Sequence, residues 1–122
     1  MTNEVKTIFI VDDDKSIRWV LEKALSKENY KVFSFETAEL MLEKLKDNEP
    51  NLIISDIRMP KMSGIDMLDR IKREYPHIPV IIMTAFSDLE TTVDSLKKGA
   101  YEYLTKPFDI GEVMTLVEKG CK

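Results

Sequence analysis

Two kinds of segment alternate strictly along this chain, and no other feature of the sequence restricts the fold as much. Five short runs rich in β-branched or aromatic residues are typical of strands, and they cover residues 7–11, 31–35, 51–55, 79–84 and 101–105. A segment with apolar residues at helical spacing follows each run. Parallel strands need crossover connections, which are right-handed, so the alternation predicts an α/β fold in which helices wrap a parallel sheet.

The predicted helices differ in how strongly the sequence marks them. The first has five apolar positions on one face, namely Ile17, Val20, Leu21, Ala24 and Leu25. The fourth, over residues 88–98, has only a thin apolar stripe, made of Leu89, Val93 and Leu96. Ser87 with Glu90 predicts a capping box at the start of helix 4, and Asp109 with Glu112 predicts its acidic variant at helix 5. The thin stripe indicates that helix 4 packs weakly and can move.

Composition excludes several classes of protein. A chain of 122 residues is enough for one hydrophobic core and too short for two. With 43% apolar and 33% charged residues it is typical of a soluble globular protein, and no apolar run approaches the roughly 20 residues of a membrane span. The net charge of −4, with both signs interspersed, argues against direct nucleic-acid binding. The single Cys121 and the lack of a targeting peptide predict a cytoplasmic location.

The carboxyl ends of the predicted strands collect polar side chains that suit chemistry. Three aspartates, Asp12, Asp13 and Asp14, follow the first strand. Asp56 follows the third, Thr84 ends the fourth, and Lys106 follows the fifth. Ligands of open parallel sheets bind at this edge, and carboxylates that converge there raise one another's pKa and require a cation. An all-oxygen site without His or Cys suits Mg²⁺.

A carboxylate beside Mg²⁺, with a lysine and a hydroxyl nearby, has what is needed to accept a phosphoryl group. Each residue alone also has an ordinary interpretation. Asp14 is predicted to be the N-cap of helix 1, Thr84 could simply end a strand, and Lys106 could be a surface lysine. Their conjunction at one edge favours a phosphoacceptor site around Asp56.

Four fragments in this order, IVDDD, SDIRMPKMSG, IIMTA and YLTKPFD, resemble the receiver domain of two-component response regulators over essentially the whole chain. The sequence fragments SIRWVL, SDIRMP, IIMTA and TKPFD are most similar to those of receivers of the nitrogen regulatory protein C type, the activators of sigma-54 RNA polymerase. The resemblance implies a flavodoxin-like (βα)5 doubly wound parallel sheet with strand order 2-1-3-4-5, for which a receiver is a standard example. It also implies one receiver domain over residues 1–122, as the N-terminal part of a longer regulator.

The resemblance further implies a role for each residue of the acidic site. Asp56 would be phosphorylated by a histidine kinase. Asp12 and Asp13 would hold Mg²⁺, with Asp13 as the direct ligand, and the backbone carbonyl of Arg58 would complete the protein ligands. Arg58 is also bulky, as is Phe86, and both flank the site, so we expect a long-lived aspartyl phosphate.

Two further residues are implied to transmit the signal. Thr84 would be the switch hydroxyl that contacts the phosphate, and Tyr103 would turn inward when Thr84 moves. Lys106 would form an ion pair with the phosphate and precede a cis bond to Pro107.

The resemblance also implies an output surface made of helix 4, strand 5 and helix 5. This surface would act on an attached or separate output module that controls transcription, and phosphorylation would promote dimerisation through it. No nucleic acid or membrane partner is expected for this domain.

Three other functions share parts of this pattern. Phosphatases of the haloacid dehalogenase type also use an aspartyl nucleophile, but they need a second Asp two residues later, where this chain has Arg58. A flavodoxin-like FMN protein needs a neutral phosphate loop after strand 1, and this loop is acidic. A phosphorylation-independent interaction module would not need the complete set of Asp12, Asp13, Asp56, Thr84 and Lys106. The sequence therefore predicts a switch that is not a multiple-turnover enzyme.

Overall fold

Five strands and five helices alternate in the part of the chain that the structure, a computed structural model, describes, which is residues 4–121 without the side chains of Phe86 and Leu89. Two predictions therefore lie outside the described residues: that the Phe86 side chain flanks the acidic site, and that the Leu89 side chain belongs to the apolar stripe of helix 4. The elements are β1 Thr7–Val11, α1 Lys15–Lys27, β2 Lys31–Phe35, α2 Ala38–Leu45, β3 Leu52–Asp56, α3 Gly64–Glu74, β4 Val80–Ala85, a 3-10 turn Phe86–Asp88, α4 Leu89–Lys97, β5 Glu102–Lys106 and α5 Ile110–Gly120.

All five strands are parallel and lie in the order β2-β1-β3-β4-β5, which confirms the predicted topology. The strand order reverses at β1, because β1 pairs with β2 on one side and with β3 on the other. Val11 pairs with Ser55 and Asp56 pairs with Met83, so the strands end almost level at the carboxyl edge. That edge, at the reversal point, is where this fold places ligands.

The core has two layers because both faces of the sheet are covered. On one face Phe9, Ile53 and Ile82 pack with residues of α2 and α3, and on the other Ile10 and Ile81 pack with residues of α1 and α5. All five of these side chains are fully buried, and each contributes about 1.5–3 kcal/mol by leaving water. Burial on both faces explains why the central strands are almost continuously apolar.

The helix starts agree with the sequence at two places and differ at one. Asp14 caps α1 by accepting from Ser16 N at 2.8 Å. Asp109 is the N-cap of α5 as predicted, but it accepts from Gly111 N at 2.8 Å and not from Glu112 N, as the predicted capping box requires. The capping box predicted for Ser87 is wrong, because the chain makes a 3-10 turn there and α4 begins only at Leu89. The 3-10 turn places Asp88, not Ser87, at the N-cap position of α4.

Candidate functional site

Three acidic side chains meet at the carboxyl edge of the sheet. Asp12 directly follows β1 and Asp56 ends β3, the neighbouring strand. Together with Asp13 they offer carboxylate oxygens that all lie within 4.8 Å of one another. Asp12 is fully buried, Asp56 is 9% exposed, and Asp13 is exposed. The structure thus brings together the acidic residues that the sequence singled out, with one of them open to solvent.

Hydrogen bonds hold Asp12 from several directions. Its carboxylate accepts from Asp14 N at 2.9 Å and from Lys106 Nζ at 2.8 Å. Its backbone carbonyl accepts from Arg18 Nη1 at 2.7 Å, and its backbone N–H donates to the Phe35 carbonyl at 3.1 Å. Asp12 is therefore a rigid support for the loop that presents Asp13. Arg18 was not assigned to the site from sequence, although it lies one turn into the helix that follows the acidic loop.

Lys106 lies between the two buried carboxylates. β5 pairs with β4 so that Lys106 faces Ala85 in the register, which carries the lysine to the same edge. Its Nζ lies 2.8 Å from Asp12 Oδ2 and 3.4 Å from Asp56 Oδ1. Burial acts to lower the pKa of Lys106, but the hydrogen bond and charge of Asp12, together with Asp56, outweigh it and raise the pKa overall. Lys106 therefore remains a cation that holds both carboxylates.

The site carries more negative charge than this lysine neutralises. Burial raises the pKa of Asp56, the nearby charge of Asp12 raises it further, and Lys106 offsets only part of the effect. A second cation would relieve the repulsion. The donors are carboxylate oxygens, close together and partly open to solvent, which fits Mg²⁺ with its preference for oxygen ligands and retained waters.

Thr84 lies on β4, the strand that pairs with β3, and Tyr103 lies on β5, the next strand of the sheet. Thr84 is fully buried, one residue beyond the Asp56–Met83 pair, and its hydroxyl donates to the Ala85 carbonyl at 3.1 Å. Tyr103 is 36% exposed on β5. The Lys106–Pro107 bond is cis, as predicted. In this arrangement the Thr84 hydroxyl is engaged by its own strand, and the tyrosine is accessible to solvent.

Arg58 makes a long-range contact that the sequence did not reveal. Its guanidinium donates to the Asp88 carboxylate through Nε, at 2.9 and 2.8 Å, and through Nη2, at 2.5 Å. The hydrogen bond from Arg58 lowers the pKa of Asp88. The two residues are 30 positions apart, so no local pattern could have paired them. This contact links the loop after Asp56 to the start of α4.

The start of α3 lies against the backbone of the phosphoacceptor candidate. Ser63 caps the helix by accepting from Asp66 N at 3.1 Å, and Gly64 N donates to the Ile57 carbonyl at 2.9 Å. A Cβ on Gly64 would lie 2.3 Å from the Asp56 carbonyl oxygen. Glycine is therefore required for this close approach. Its only signal in the sequence is the Ser-Gly pair that closes SDIRMPKMSG.

Away from the acidic site, a groove of about 570 Å³ lies between α1 and α5. Its lining includes Trp19, Val20, Ile110 and Met114, and Trp19 is 58% exposed.

Among residues 4–121, no helix is both long enough and apolar enough to cross a membrane.

Comparison with known proteins gives one consistent family. Residues 8–118 match the response regulator receiver domain. The DNA-binding transcriptional regulators NtrC of Escherichia coli K12 and Proteus hauseri are each 49% identical over 113 residues, which is 93% of this chain and 24% of each regulator. Regulatory protein AtoC of Escherichia coli K12 is 34% identical over 118 residues. The chain thus spans about a quarter of the length of the curated relatives it matches.

Solved structures agree with these sequence matches. A receiver domain protein from Clostridium thermocellum superposes with a TM-score of 0.91 at 29% identity, covering 96% of this chain and 94% of that one. The receiver domain of NtrX from Brucella abortus superposes with a TM-score of 0.90 at 29% identity, covering 93% and 97%.

Proposed function

This chain belongs to the response regulator receiver domain family, with NtrC regulators among its relatives, and we propose that it is a phosphoacceptor switch of a two-component system. Asp56 takes a phosphoryl group from a histidine kinase. The observation that carries this proposal is the placement of the Asp56 carboxylate among Asp12, Asp13 and Lys106. It is an anionic nucleophile with a fixed lysine on one side and a cation-binding acidic pair on the other.

The transfer needs a nucleophile and charge neutralisation more than it needs acid–base chemistry. An oxygen of Asp56 attacks phosphorus while the bond from phosphorus to the donor nitrogen breaks. The departing imidazole keeps the electron pair and takes a proton from water, and Asp56 becomes an acyl phosphate. Lys106 is already within reach of Asp56 and neutralises the transferred oxygens.

A divalent cation fits the acidic side of the site. Asp12, Asp13 and Asp56, with the backbone carbonyl of Arg58, would hold Mg²⁺, and the exposed Asp13 would be its direct ligand from the acidic pair. The ion would supply positive charge that offsets the charge on the transferring phosphoryl oxygens.

Phosphorylation would act by shifting a population between two arrangements. The Thr84 hydroxyl, bonded here to the Ala85 carbonyl, would turn to the phosphate, and Tyr103 would turn inward after it. The affected surface is α4, β5 and α5. Val93 of α4 is 51% exposed, and Tyr101, directly before β5, is 44% exposed. An apolar surface that changes in this way suits an output domain, and it could also support a phosphorylated homodimer.

The partners follow from the same family membership. A histidine kinase would dock over the acidic edge and contact Trp19, beside the groove between α1 and α5. The receiver would form the N-terminal part of a longer cytoplasmic regulator whose output is transcriptional. Neither nucleic acid nor a membrane would bind this domain directly.

A phosphatase of the haloacid dehalogenase type is less well supported. That chemistry needs an acid two residues after the nucleophile, and here the position holds Arg58, whose guanidinium is engaged by Asp88. A permanently charged guanidinium cannot shuttle the proton that multiple turnover requires. The domain would assist its own phosphorylation and lose the phosphate slowly.

The test is intact-mass measurement after incubation with carbamoyl phosphate and Mg²⁺. The wild-type chain should gain a single phosphoryl group, and excess EDTA should suppress the gain. Asp56→Asn should gain none, whereas Asp69→Asn, a control in an exposed helical ion pair, should behave as wild type. An equal gain in wild type and Asp56→Asn would overturn the proposal.

A further inference from the structure

We infer that Arg18 is a positioning residue for the proposed metal ligand Asp13, which it holds in place through the backbone of the acidic loop. The inference deepens the proposed function and rests on it, because it assumes that Mg²⁺ binds at the acidic edge. Arg18 would contact neither the ion nor the phosphoryl group. It acts by fixing the peptide unit that joins Asp12 to Asp13.

The contact is a hydrogen bond from a helix side chain back to the loop that precedes the helix. Nη1 of Arg18 donates to the backbone carbonyl of Asp12 at 2.7 Å, across six positions of the chain. A distance this short is typical of a donor that carries a full charge. Arg18 lies in the first turn of α1 and is half-buried. The helix therefore holds the residue after β1 through a side chain as well as through the chain itself.

Both peptide units that flank Asp13 are fixed by hydrogen bonds. The first contains the Asp12 carbonyl and the Asp13 N–H, and Arg18 holds its carbonyl. The second contains the Asp14 N–H, which donates to Asp12 Oδ1 at 2.9 Å. Because a peptide unit is planar, two fixed units set the backbone dihedral angles of the residue between them. Arg18 thus fixes one of the two units that direct the Asp13 side chain.

Asp13 depends on its backbone for this placement. Its side chain is exposed, and among residues 4–121 no hydrogen bond or ion pair involves its carboxylate. Asp12, in contrast, is fully buried and its carboxylate accepts from Lys106 at 2.8 Å. A group that is held in its binding position beforehand loses less freedom when the ligand arrives. A restraint on the Asp13 backbone should therefore strengthen binding of the ion.

The guanidinium of Arg18 is used for a carbonyl although acidic side chains are close by. Within the described part of the chain it forms no ion pair, whereas Lys106 lies within ion-pair distance of both Asp12 and Asp56. An arginine paired with a carboxylate would occupy oxygen atoms that the ion needs. Directed at a carbonyl, it restrains the loop and leaves the carboxylate of Asp13 free.

A simple charge effect of Arg18 would act in the opposite direction. A guanidinium near the acidic edge repels Mg²⁺, so its removal would strengthen binding of the ion if charge were all that it contributed. Loss of the positioning contact would weaken binding instead. The sign of the change in Kd therefore distinguishes the two effects.

The first measurement is the Kd for Mg²⁺ of the unphosphorylated protein, obtained by titration and followed by amide NMR signals. Arg18→Gln removes the charge and shortens the side chain. It should raise the Kd by roughly 10-fold, as is common when a group that orients a metal ligand is removed. The amide signals of Asp13 and Asp14 should also move before any Mg²⁺ is added, because the first peptide unit loses its restraint.

Lys15→Gln is the matched control. Lys15 is exposed, directly follows the acidic loop and lies in the same turn of α1 as Arg18. The variant loses the same charge beside the same site. Its Kd should stay within about 2-fold of the wild-type value at about 0.15 M salt, where exposed charges are largely screened.

A second measurement separates positioning of the metal ligand from a general loss of structure. The initial rate of phosphorylation by carbamoyl phosphate is measured against Mg²⁺ concentration. Arg18→Gln should raise the Mg²⁺ concentration at half-maximal rate and leave the rate at saturation near that of the wild type. Loosening of the sheet around Asp56 would lower the rate at saturation.

Three results would overturn the role of Arg18. These are an Arg18→Gln Kd equal to or below that of Lys15→Gln, a clear fall in its rate at saturating Mg²⁺, and a wild-type chain that binds no Mg²⁺. A wild-type chain that binds Mg²⁺ but takes no phosphoryl group would contradict the proposed phosphoacceptor instead. The comparison of Kd values would then still decide the role of Arg18.

Discussion

The surroundings of Asp56 disfavour the ionised form of its carboxyl group, and this affects how the carboxylate reacts. Burial and the neighbouring Asp12 both raise its pKa, while Lys106 compensates only in part. A carboxylate in this position gains from the arrival of a cation and from the neutralising contacts of a transferred phosphoryl group with Lys106. The unfavourable free energy is electrostatic and comes from the charge of the side chain. A substitution that removes only this charge therefore measures it.

We predict that Asp56→Asn stabilises the fold at neutral pH by about 1 kcal/mol, or roughly 2–6 °C in Tm. The folded state binds the Asp56 proton more tightly than the unfolded state does, so the ionised side chain destabilises the fold. This penalty is absent below the unfolded pKa of about 4 and complete above the raised folded pKa. The stabilisation by Asn should therefore fade as pH falls through that window, as thermal melts in metal-free buffer at several pH values would report.

The matched control is Asp47→Asn, which removes the same charge from an exposed position just after α2. Its melting temperature relative to wild type should change little across the same pH range. A loss of stability in Asp56→Asn at neutral pH would contradict the charge account of this residue.

At the scale of elements, the start of α3 is built against the loop that follows Asp56. Gly64 allows this approach, since a Cβ there would lie 2.3 Å from the Asp56 carbonyl and 2.8 Å from the Ile57 Cα. Both contacts are with backbone, which cannot move aside without displacing the end of β3. The position of α3 and the position of Asp56 are therefore linked through one residue.

Gly64→Ala should destabilise the fold by about 2 kcal/mol or more, because the new methyl group overlaps fixed backbone. Gly111→Ala in α5 is the control, since its Cβ would meet only the Asp109 side chain, at an ordinary 3.4 Å. That variant should be neutral or stabilised by up to about 1 kcal/mol, as expected for glycine to alanine in a helix. Urea unfolding of both variants checks the pair, and equal effects would contradict the close-approach argument.

For the whole molecule, we predict that a divalent cation bound at the acidic edge stabilises the fold. A ligand that binds only the folded state at 100 times its Kd stabilises it by about 2.7 kcal/mol. Saturating Mg²⁺ should therefore raise the Tm of the wild type by several degrees. Asp13→Asn should lose most of this rise, because Asp13 is the exposed acid of the cluster and the proposed direct ligand of the ion.

The control for the cation experiment is Asp14→Asn. Asp14 belongs to the same acidic loop but caps α1, and asparagine caps equally well. Its Mg²⁺-induced rise in Tm should match that of the wild type. An undiminished rise in Asp13→Asn would show that the cation binds elsewhere.

Much of the fold and of the candidate site could be predicted, because short stretches of the sequence determine the strands and the residues at their ends. Runs of apolar residues marked the strands to within one residue, and the position of Asp56, Asp12 and Lys106 after three strands placed them at one edge. The start of α4 was predicted wrongly at Ser87, since a 3-10 turn moves the N-cap position to Asp88. The partner of Arg58 could not be predicted at all, because a contact across 30 residues depends on how α4 docks.

The role of Asp56 as phosphoacceptor is tested by locating the phosphoryl group on the chain. The wild-type protein is incubated with carbamoyl phosphate and Mg²⁺, treated with borohydride, which reduces an acyl phosphate to an alcohol, and mapped by tandem mass spectrometry of its peptides. Asp56 should be converted to homoserine, and Asp12 and Asp13 should be unchanged. Reduction at Asp12 or Asp13, or no reduced aspartate in a chain that has gained a phosphoryl group, would contradict this role.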